Sequence, residues 1–225
     1  TFTHTNSYQE AENLLINGDK QFLNKIKSSR DYKLKGNISQ RRIPYNDIVG
    51  FAPNVPNAIR GIPQSMINKT IIKDKSKTVS IIYSPTGNGM IDASEFEKCG
   101  IVILNVINKL ELSGIRVNLK IACKCSFGNS EYTLCTVKVK DYREHLDLAK
   151  ISFPIAHPSF FRRFGFKWLE TTPNLTDSEY TYGYGHTVPI KEMKDYFKDE
   201  KLIDIRDVKH MHYNVDEIIQ SFNLK

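Results

Sequence analysis

The sequence predicts an α/β fold with a mostly parallel sheet, one antiparallel edge strand and helices on both faces. The first observation is the succession of an apolar strand, a polar turn, an amphipathic helix and a second strand, at residues 78–83, 84–89, 94–112 and 115–123. This succession is typical of a parallel crossover unit. The second observation is an antiparallel hairpin, since strands 117–125 and 132–140 flank a short turn with glycine and asparagine.

Two short helices are predicted at the N-terminus. A capping box, Ser7-x-x-Glu10, begins the first helix, and Gly18 ends it. Asp19 begins the second helix. Residues 28–40 are polar and basic with few apolar side chains, which predicts a connector.

Proline and glycine dominate the next segment. Between residues 41 and 66, four prolines and two glycines prevent a long helix, whereas apolar residues recur throughout. We expect an ordered wrap over the core, with one helical turn starting at Pro56. The predicted organisation is a helical basic N-terminal extension at 1–42, a Pro/Gly-rich wrap at 43–75 and an α/β core domain at 76–225.

The C-terminal half predicts four helices and one strand. The helices start near Leu146, Pro158, Pro189 and Asn214, and the strand covers residues 202–208. Pro154 is expected to interrupt the first of these helices, because proline lacks the N–H that a helix interior requires.

Length and composition restrict the class of protein. The chain has 225 residues, of which 40% are hydrophobic and 25% charged, as in ordinary globular proteins. It contains no run of about 18 apolar residues, which argues against a spanning helix and a membrane partner. The N-terminus lacks a signal-peptide pattern, and four cysteines are too few for a secreted disulfide scaffold. We therefore expect an intracellular protein.

The positive charge is concentrated near the N-terminus. The net charge is +7, and one segment with eight basic residues and a single acid accounts for all of it. The eight residues are Lys20, Lys25, Lys27, Arg30, Lys33, Lys35, Arg41 and Arg42. This distribution predicts a basic arm that contacts nucleic acid or an acidic protein partner. The alternative is a solvated helix face rich in lysine.

In topology, the predicted order of elements resembles the von Willebrand factor A-like fold. Short strings are also similar to those of a set of uncharacterised proteins from phages and mobile elements. The strings are Asp47-x-x-Gly50-x-x-Pro53-x-Val55-Pro56 with Gly61-x-Pro63-x-x-Met66, Leu110-Glu111-x-x-Gly114-x-x-Val117, and Ala156-His157-Pro158-x-Phe160-Phe161-Arg162-Arg163-x-Gly165-Phe166. This resemblance covers about residues 45–170. It implies an α/β core and a mobile-element origin, in the host cytoplasm or associated with a virion, but no activity.

The turn after the first core strand carries candidate metal ligands. Ser84, Thr86 and Asn88 stand where von Willebrand A-like domains carry their Asp-x-Ser-x-Ser magnesium motif, with Ser84 in place of the carboxylate. Asp92, or Asp141 after the edge strand, could supply the missing charge that Mg²⁺ prefers. The alternative is a polar turn without a metal, and the turn also lacks the known phosphate-loop fingerprints.

Two clusters have both a functional and a structural interpretation. Arg162 and Arg163 could bind phosphates, or they could be solvated on a core helix. Tyr182 and Tyr184 alternate with glycines. They could stack on nucleic-acid bases, contact a protein, or pack against a neighbouring helix.

Cys123, Cys125 and Cys135 could hold zinc, but their spacing is not that of a zinc finger, and core cysteines are commoner. No nucleophile motif of the hydrolases is present.

Together these patterns predict a non-enzymatic binding protein of a phage or mobile element, without a resident cofactor. Its basic N-terminal region would contact nucleic acid or an acidic protein. The alternative is a Mg²⁺-dependent enzyme, or an adhesion-type von Willebrand A-like module with a degenerate metal site.

Overall fold

The computed structural model describes residues 3–28, 42–71, 77–86, 91–126, 132–172 and 186–224. The chain divides into two compact units, one formed by residues 1–36 and 78–225 and the other by residues 37–77. In chain order the elements are α1 (Tyr8–Asn17), α2 (Lys20–Ser28), β1 (Arg42–Asp47), β2 (Ala52–Pro53), α3 (Val55–Ile59), β3 (Met66–Ile71), β4 (Thr78–Ser84), α4 (Ala93–Leu112), β5 (Arg116–Ser126), β6 (Tyr132–Lys140), α5 (Leu148–Ala156), a π-helix (Phe160–Gly165), α6 (Phe166–Thr171), β7 (His186–Thr187), a 3₁₀ helix (Ile190–Met193), β8 (Lys201–Asp204), α7 (Ile205–His210) and α8 (Val215–Ser221).

The larger unit contains a mixed sheet with the strand order β6-β5-β4-β8, and β7 pairs with the end of β5. Strand β4 is parallel to both β5 and β8, whereas β6 and β7 are antiparallel to β5. The predicted crossover β4–α4–β5 and the predicted hairpin β5–β6 are therefore confirmed. The fold is mixed α/β, with antiparallel pairing at one end of the sheet.

The two faces of this sheet are covered differently. Val79, Ile81 and Tyr83 of β4 join one buried cluster with side chains from α1, α2, α4, α5, α7 and α8. On the opposite face, Ile82 packs against Ile190 of the 3₁₀ helix. In the described part of the chain, this short helix replaces the α-helices expected on the second face. That face is partly polar, with a hydrogen bond between Asn118 and Ser80 on neighbouring strands, and needs less apolar cover.

Four predictions for the C-terminal half are wrong in detail. The strand predicted at 202–208 ends at Asp204, because Asp204 and Asp207 form a capping box that begins α7. Helix α5 continues through Pro154 to Ala156, since tight burial of its apolar side chains outweighs one missing N–H. The helix predicted from Pro158 begins as a π-helix, and the one predicted from Pro189 is a single 3₁₀ turn.

The smaller unit is a three-stranded antiparallel sheet with the order β1-β3-β2. The predicted helical turn is confirmed as α3, where the side chain of Asn54 accepts a hydrogen bond from the backbone N–H of Asn57 and Pro56 lies in the first turn. The wrapping of this segment over the core stays a prediction.

Candidate functional site

The predicted metal turn begins at the carboxyl end of β4. Ser84 is buried, and its Oγ lies 2.8 Å from Oγ1 of Thr86. Asn88 lies outside the described residues. Ser84 is directly opposite Asp204 in the parallel register of β4 and β8. Asp204 is 3% exposed and was not predicted as a site residue, although its capping-box spacing is visible in the sequence.

The two carboxylates predicted to complete this site have other partners. Asp92 is the N-cap of α4 and accepts hydrogen bonds from the backbone N–H of Glu95 at 2.8 Å and the hydroxyl of Ser94 at 2.7 Å. These bonds lower the pKa of Asp92 below its usual value. Asp141 pairs with Lys138, which lowers the pKa of Asp141 in the same way. Among the residues with described positions, no three His, Cys, Asp or Glu side chains are grouped as a metal site requires.

Magnesium binding can be tested by thermal unfolding. We expect millimolar Mg²⁺ to leave the Tm unchanged, because Asp92 and Asp141 accept hydrogen bonds within the chain. A ligand that binds only the folded state raises the Tm by mass action. A Mg²⁺-dependent rise in Tm that is lost in Asp204→Asn would contradict this expectation and would assign the metal to the β4–β8 edge.

The predicted basic residues are only partly within the described structure. Lys20, Lys25 and Lys27 are exposed on α2, and Nζ of Lys25 lies 2.9 Å from a carboxylate oxygen of Glu97. Arg42 begins β1, but its side chain lies outside the described residues, as do Arg30, Lys33, Lys35 and Arg41.

At least one of the two arginines, Arg163, has a structural role. Arg163 donates hydrogen bonds to Oγ1 of Thr5 at 2.7 Å and to its carbonyl oxygen at 2.8 Å, which ties the N-terminal segment to the π-helix. The guanidinium of Arg162 lies 5.3 Å from the ring centre of Phe166. Tyr182 and Tyr184 lie outside the described residues.

His157, next to these arginines, predicts a pH dependence of stability. It is buried at the end of α5, and its Nδ1 accepts a hydrogen bond from the backbone N–H of Ser159 at 3.2 Å. Burial lowers the pKa of His157 below its usual value. The unfolded chain therefore takes up this proton at a higher pH than the folded chain, so the free energy of unfolding falls on acidification.

We expect the Tm to fall from about pH 7 to about pH 5, and His157→Gln to remove part of this fall. Thermal scans of both proteins across that range provide the measurement. Parallel Tm profiles for the variant and the wild type would contradict this role of His157.

The three strand cysteines share one side of the β5–β6 hairpin. Sγ of Cys123 lies 3.5 Å from Sγ of Cys125, and Cys135 is directly opposite Cys123. The three side chains line a cavity of about 30 Å³ together with Trp168 and Phe161. A hydrogen bond from Cys123 lowers the pKa of the Cys125 thiol, whereas burial raises the pKa of Cys135. The arrangement indicates core thiols.

The smaller unit exposes most of its large apolar side chains, which lie on β1, on α3 and in the loops beside them. We define the apolar sheet surface as Tyr45, Ile48, Val49, Phe51, Val55, Ile59 and Ile62. Ile59 is 81% exposed and Val49 is 73% exposed. Between residues 44 and 69 no residue is buried. The small sheet therefore has no core of its own among these residues.

Local bonds hold the apolar loop between β1 and β2 in place. The backbone N–H of Phe51 donates to the carbonyl oxygen of Ile67 at 3.0 Å, and the side chain of Asn68 donates to the carbonyl oxygen of Val49 at 3.2 Å. A Cβ added to Gly50 would lie 2.2 Å from the carbonyl oxygen of Ile67, so only glycine allows this close approach. The loop therefore presents its apolar side chains in a defined conformation.

The smaller unit as a whole is also basic. Residues 37–77 contain seven basic and two acidic residues, a net charge of +5. The basic residues are Arg41, Arg42, Arg60, Lys69, Lys73, Lys75 and Lys77. The segment therefore combines exposed apolar side chains with a strong positive charge.

The fold and these surfaces define a mixed α/β protein with a small, basic antiparallel sheet that exposes apolar side chains. The chain belongs to the family described as a domain of unknown function, DUF7192, whose model matches residues 1–225. No curated protein and no solved structure matches the chain. Of the helices that the structure describes, none has the length and apolar composition needed to cross a bilayer.

Proposed function

We propose that this protein is a non-enzymatic binding protein whose small basic sheet docks on an acidic protein partner. One observation carries this conclusion: the apolar sheet surface exposes seven large apolar side chains within a segment that buries none. Concentrated apolar exposure of this kind marks interaction sites in soluble proteins.

The chemistry of this surface favours a protein over nucleic acid. Five of its seven side chains are aliphatic, and these can neither stack on bases nor donate hydrogen bonds to them. Sites for single-stranded nucleic acid instead rely on aromatic platforms. Aliphatic side chains pack well against the apolar centre of a protein interface.

The charge of residues 37–77 indicates which kind of protein surface would fit. A net charge of +5 attracts an acidic partner and accelerates their encounter. The same charge disfavours docking of a second copy through this surface, because two basic segments would repel each other. The bonds that order the loop between β1 and β2 reduce the entropy lost on binding.

Several further features belong to this proposal. The basic N-terminal region would extend the contact with an acidic partner or with nucleic acid. A von Willebrand A-like topology is supported by the parallel β4–α4–β5 unit and by β8 parallel to β4. The intracellular, phage or mobile-element origin rests on the sequence patterns alone.

An anionic apolar dye, anilinonaphthalene sulfonate, tests whether the apolar sheet surface is available to ligands of this chemistry. We expect the wild type to bind the dye and Ile48→Ser/Ile59→Ser to bind it about tenfold more weakly, since each substitution removes an apolar contact. Ile16→Ser is the matched control, because Ile16 is 62% exposed on α1 and lies outside the apolar sheet surface. The proposal would be contradicted if Ile16→Ser weakened dye binding as much as the double variant does, or if the double variant bound the dye as tightly as the wild type.

A different outcome would support the nucleic-acid interpretation. Salt-sensitive binding of generic DNA that is lost in Lys20→Glu/Lys27→Glu, together with unchanged dye binding by Ile48→Ser/Ile59→Ser, would replace the protein partner with nucleic acid.

A further inference from the structure

Cys123 and Cys135 occupy directly opposite positions on the paired strands β5 and β6. Opposite residues of an antiparallel pair have Cα atoms about 4.5 or 5.5 Å apart. Both separations lie within the range of about 4.4–6.8 Å that a disulfide spans. The two side chains are half-buried and line the same cavity, so they lie on one face of the hairpin. A disulfide between them would join strands that are already paired and would require no change of fold.

A third thiol lies beside this pair. Sγ of Cys125 is 3.5 Å from Sγ of Cys123, and the thiol of Cys123 donates a hydrogen bond to it. This bond lowers the pKa of Cys125, because it stabilises the thiolate. Cys125 is itself buried, at 7% exposed, so Cys123 is the more accessible sulfur of the two. The thiolate of Cys125 is therefore placed to accept the proton of Cys123 when the sulfur of Cys123 forms a new bond.

The cavity beside the three thiols limits the size of a reactant. Its volume is about 30 Å³, and Thr133, Phe161 and Trp168 also line it. A cavity needs about 10–15 Å³ to hold a water molecule. Hydrogen peroxide is only slightly larger than water, whereas aromatic hydroperoxides and glutathione disulfide far exceed this volume. The space next to the thiols therefore fits hydrogen peroxide and excludes bulkier oxidants.

We propose that Cys123, Cys125 and Cys135 form a peroxide-reactive site that closes a cross-strand disulfide between Cys123 and Cys135. The sulfur of Cys123 attacks one oxygen of hydrogen peroxide while its proton passes to Cys125, and the O–O bond breaks to give a sulfenic acid and hydroxide. The hydroxide takes the proton back from Cys125 and leaves as water. The sulfur of Cys135 then attacks the sulfenic sulfur, the S–O bond breaks, and the hydroxyl leaves with the proton of Cys135 as a second water.

This chemistry is balanced and reversible. The two thiols that form the disulfide lose two electrons, and one hydrogen peroxide becomes two waters. A dithiol restores both thiols by exchange. The site lies in the larger unit and shares no residue with the apolar sheet surface, so failure of the thiol proposal would leave the docking proposal intact.

The probe is hydrogen peroxide, added to the folded full chain. We expect peptide mapping by mass spectrometry to find Cys123 joined to Cys135, and dithiothreitol to reverse the link. Cys135→Ser should stop at a sulfenic acid on Cys123, which dimedone labels. Cys99→Ser is the matched control, since Cys99 is buried on α4 and outside the cavity, and this variant should form the disulfide as the wild type does.

Two rate comparisons test the proton transfer and the cavity. Serine stays protonated at neutral pH, so Cys125→Ser should form the same disulfide at least about tenfold more slowly. Cumene hydroperoxide should oxidise the wild type at least about tenfold more slowly than hydrogen peroxide does, because it does not fit the cavity. The proposal would be overturned by free thiols at Cys123 and Cys135 after treatment, by a disulfide between other cysteines, or by equal rates in either comparison.

Discussion

Lys140→Met is expected to lower the free energy of unfolding by about 1–3 kcal/mol, because it leaves the buried acceptors of the ammonium group unpaired, whereas Glu111 keeps its ion pair with Arg116. Nζ of Lys140 lies 2.7 Å from a carboxylate oxygen of Glu111, and the two side chains are 1% and 7% exposed. Nζ also donates to the carbonyl oxygens of Val117 and Asp141, each at 3.1 Å. Methionine preserves the length and apolar stem of lysine. The decrease in the free energy of unfolding therefore reports the missing ammonium group.

Lys138→Met provides the matched control for this prediction. Lys138 lies on the same strand and also pairs with a carboxylate, that of Asp141, but its side chain is 54% exposed. Exposed pairs contribute less than about 1 kcal/mol. Urea denaturation of both variants gives the comparison, and equal losses for the two would show that burial of the Lys140–Glu111 pair does not matter.

Gly100→Ala is the second substitution with a large expected effect, since α4 and α5 come into close contact at Gly100. A Cβ on Gly100 would lie 2.2 Å from Cβ and 2.4 Å from Cα of Ala156. The helices must separate, at a cost of about 3 kcal/mol. Alanine returns about 1 kcal/mol through its better helix propensity. We expect a net loss of about 2 kcal/mol in the free energy of unfolding, measured by urea denaturation.

The partner residue supplies the test of this contact. Ala156→Gly removes the Cβ that a side chain at position 100 would meet, so the double variant should lose less stability than the sum of the single variants. This contact would be contradicted if the stability losses of the two single variants added exactly in the double variant, or if the Gly100→Ala protein were as stable as the wild type.

The central fold could be predicted because its signals are local and repeated. The β-branched strand at 78–83, the helix ending before Gly114 and the hairpin around Gly128 each follow from periodicity and turn residues. The end of β8 was missed because Ile203, Ile205 and Val208 suggest a longer strand. The capping box at Asp204 takes precedence, since it pairs backbone N–H groups that a strand end would leave unpaired.

The candidate sites were harder to predict. The turn at Ser84 was recognised, but the carboxylate opposite it in the register belongs to Asp204, 120 residues away in the sequence. Only the parallel pairing of β4 with β8 reveals that placement. Likewise, the apolar residues that recur between 41 and 66 predicted a wrap over the core, and the structure exposes seven of the large ones, from Tyr45 to Ile62. Composition does not distinguish an apolar side chain that packs within its own chain from one that meets a partner.

Site-specific photo-crosslinking tests the proposed docking surface most directly. p-Benzoylphenylalanine would replace Ile59, which is 81% exposed on α3 of the smaller unit, and in a separate protein Ile16, which is 62% exposed on α1. We expect irradiation in the source cells to attach one acidic protein at position 59 and not at position 16, with the product lost in Ile48→Ser. Crosslinking to nucleic acid, to a second copy of the chain, or equally from both positions would contradict the account.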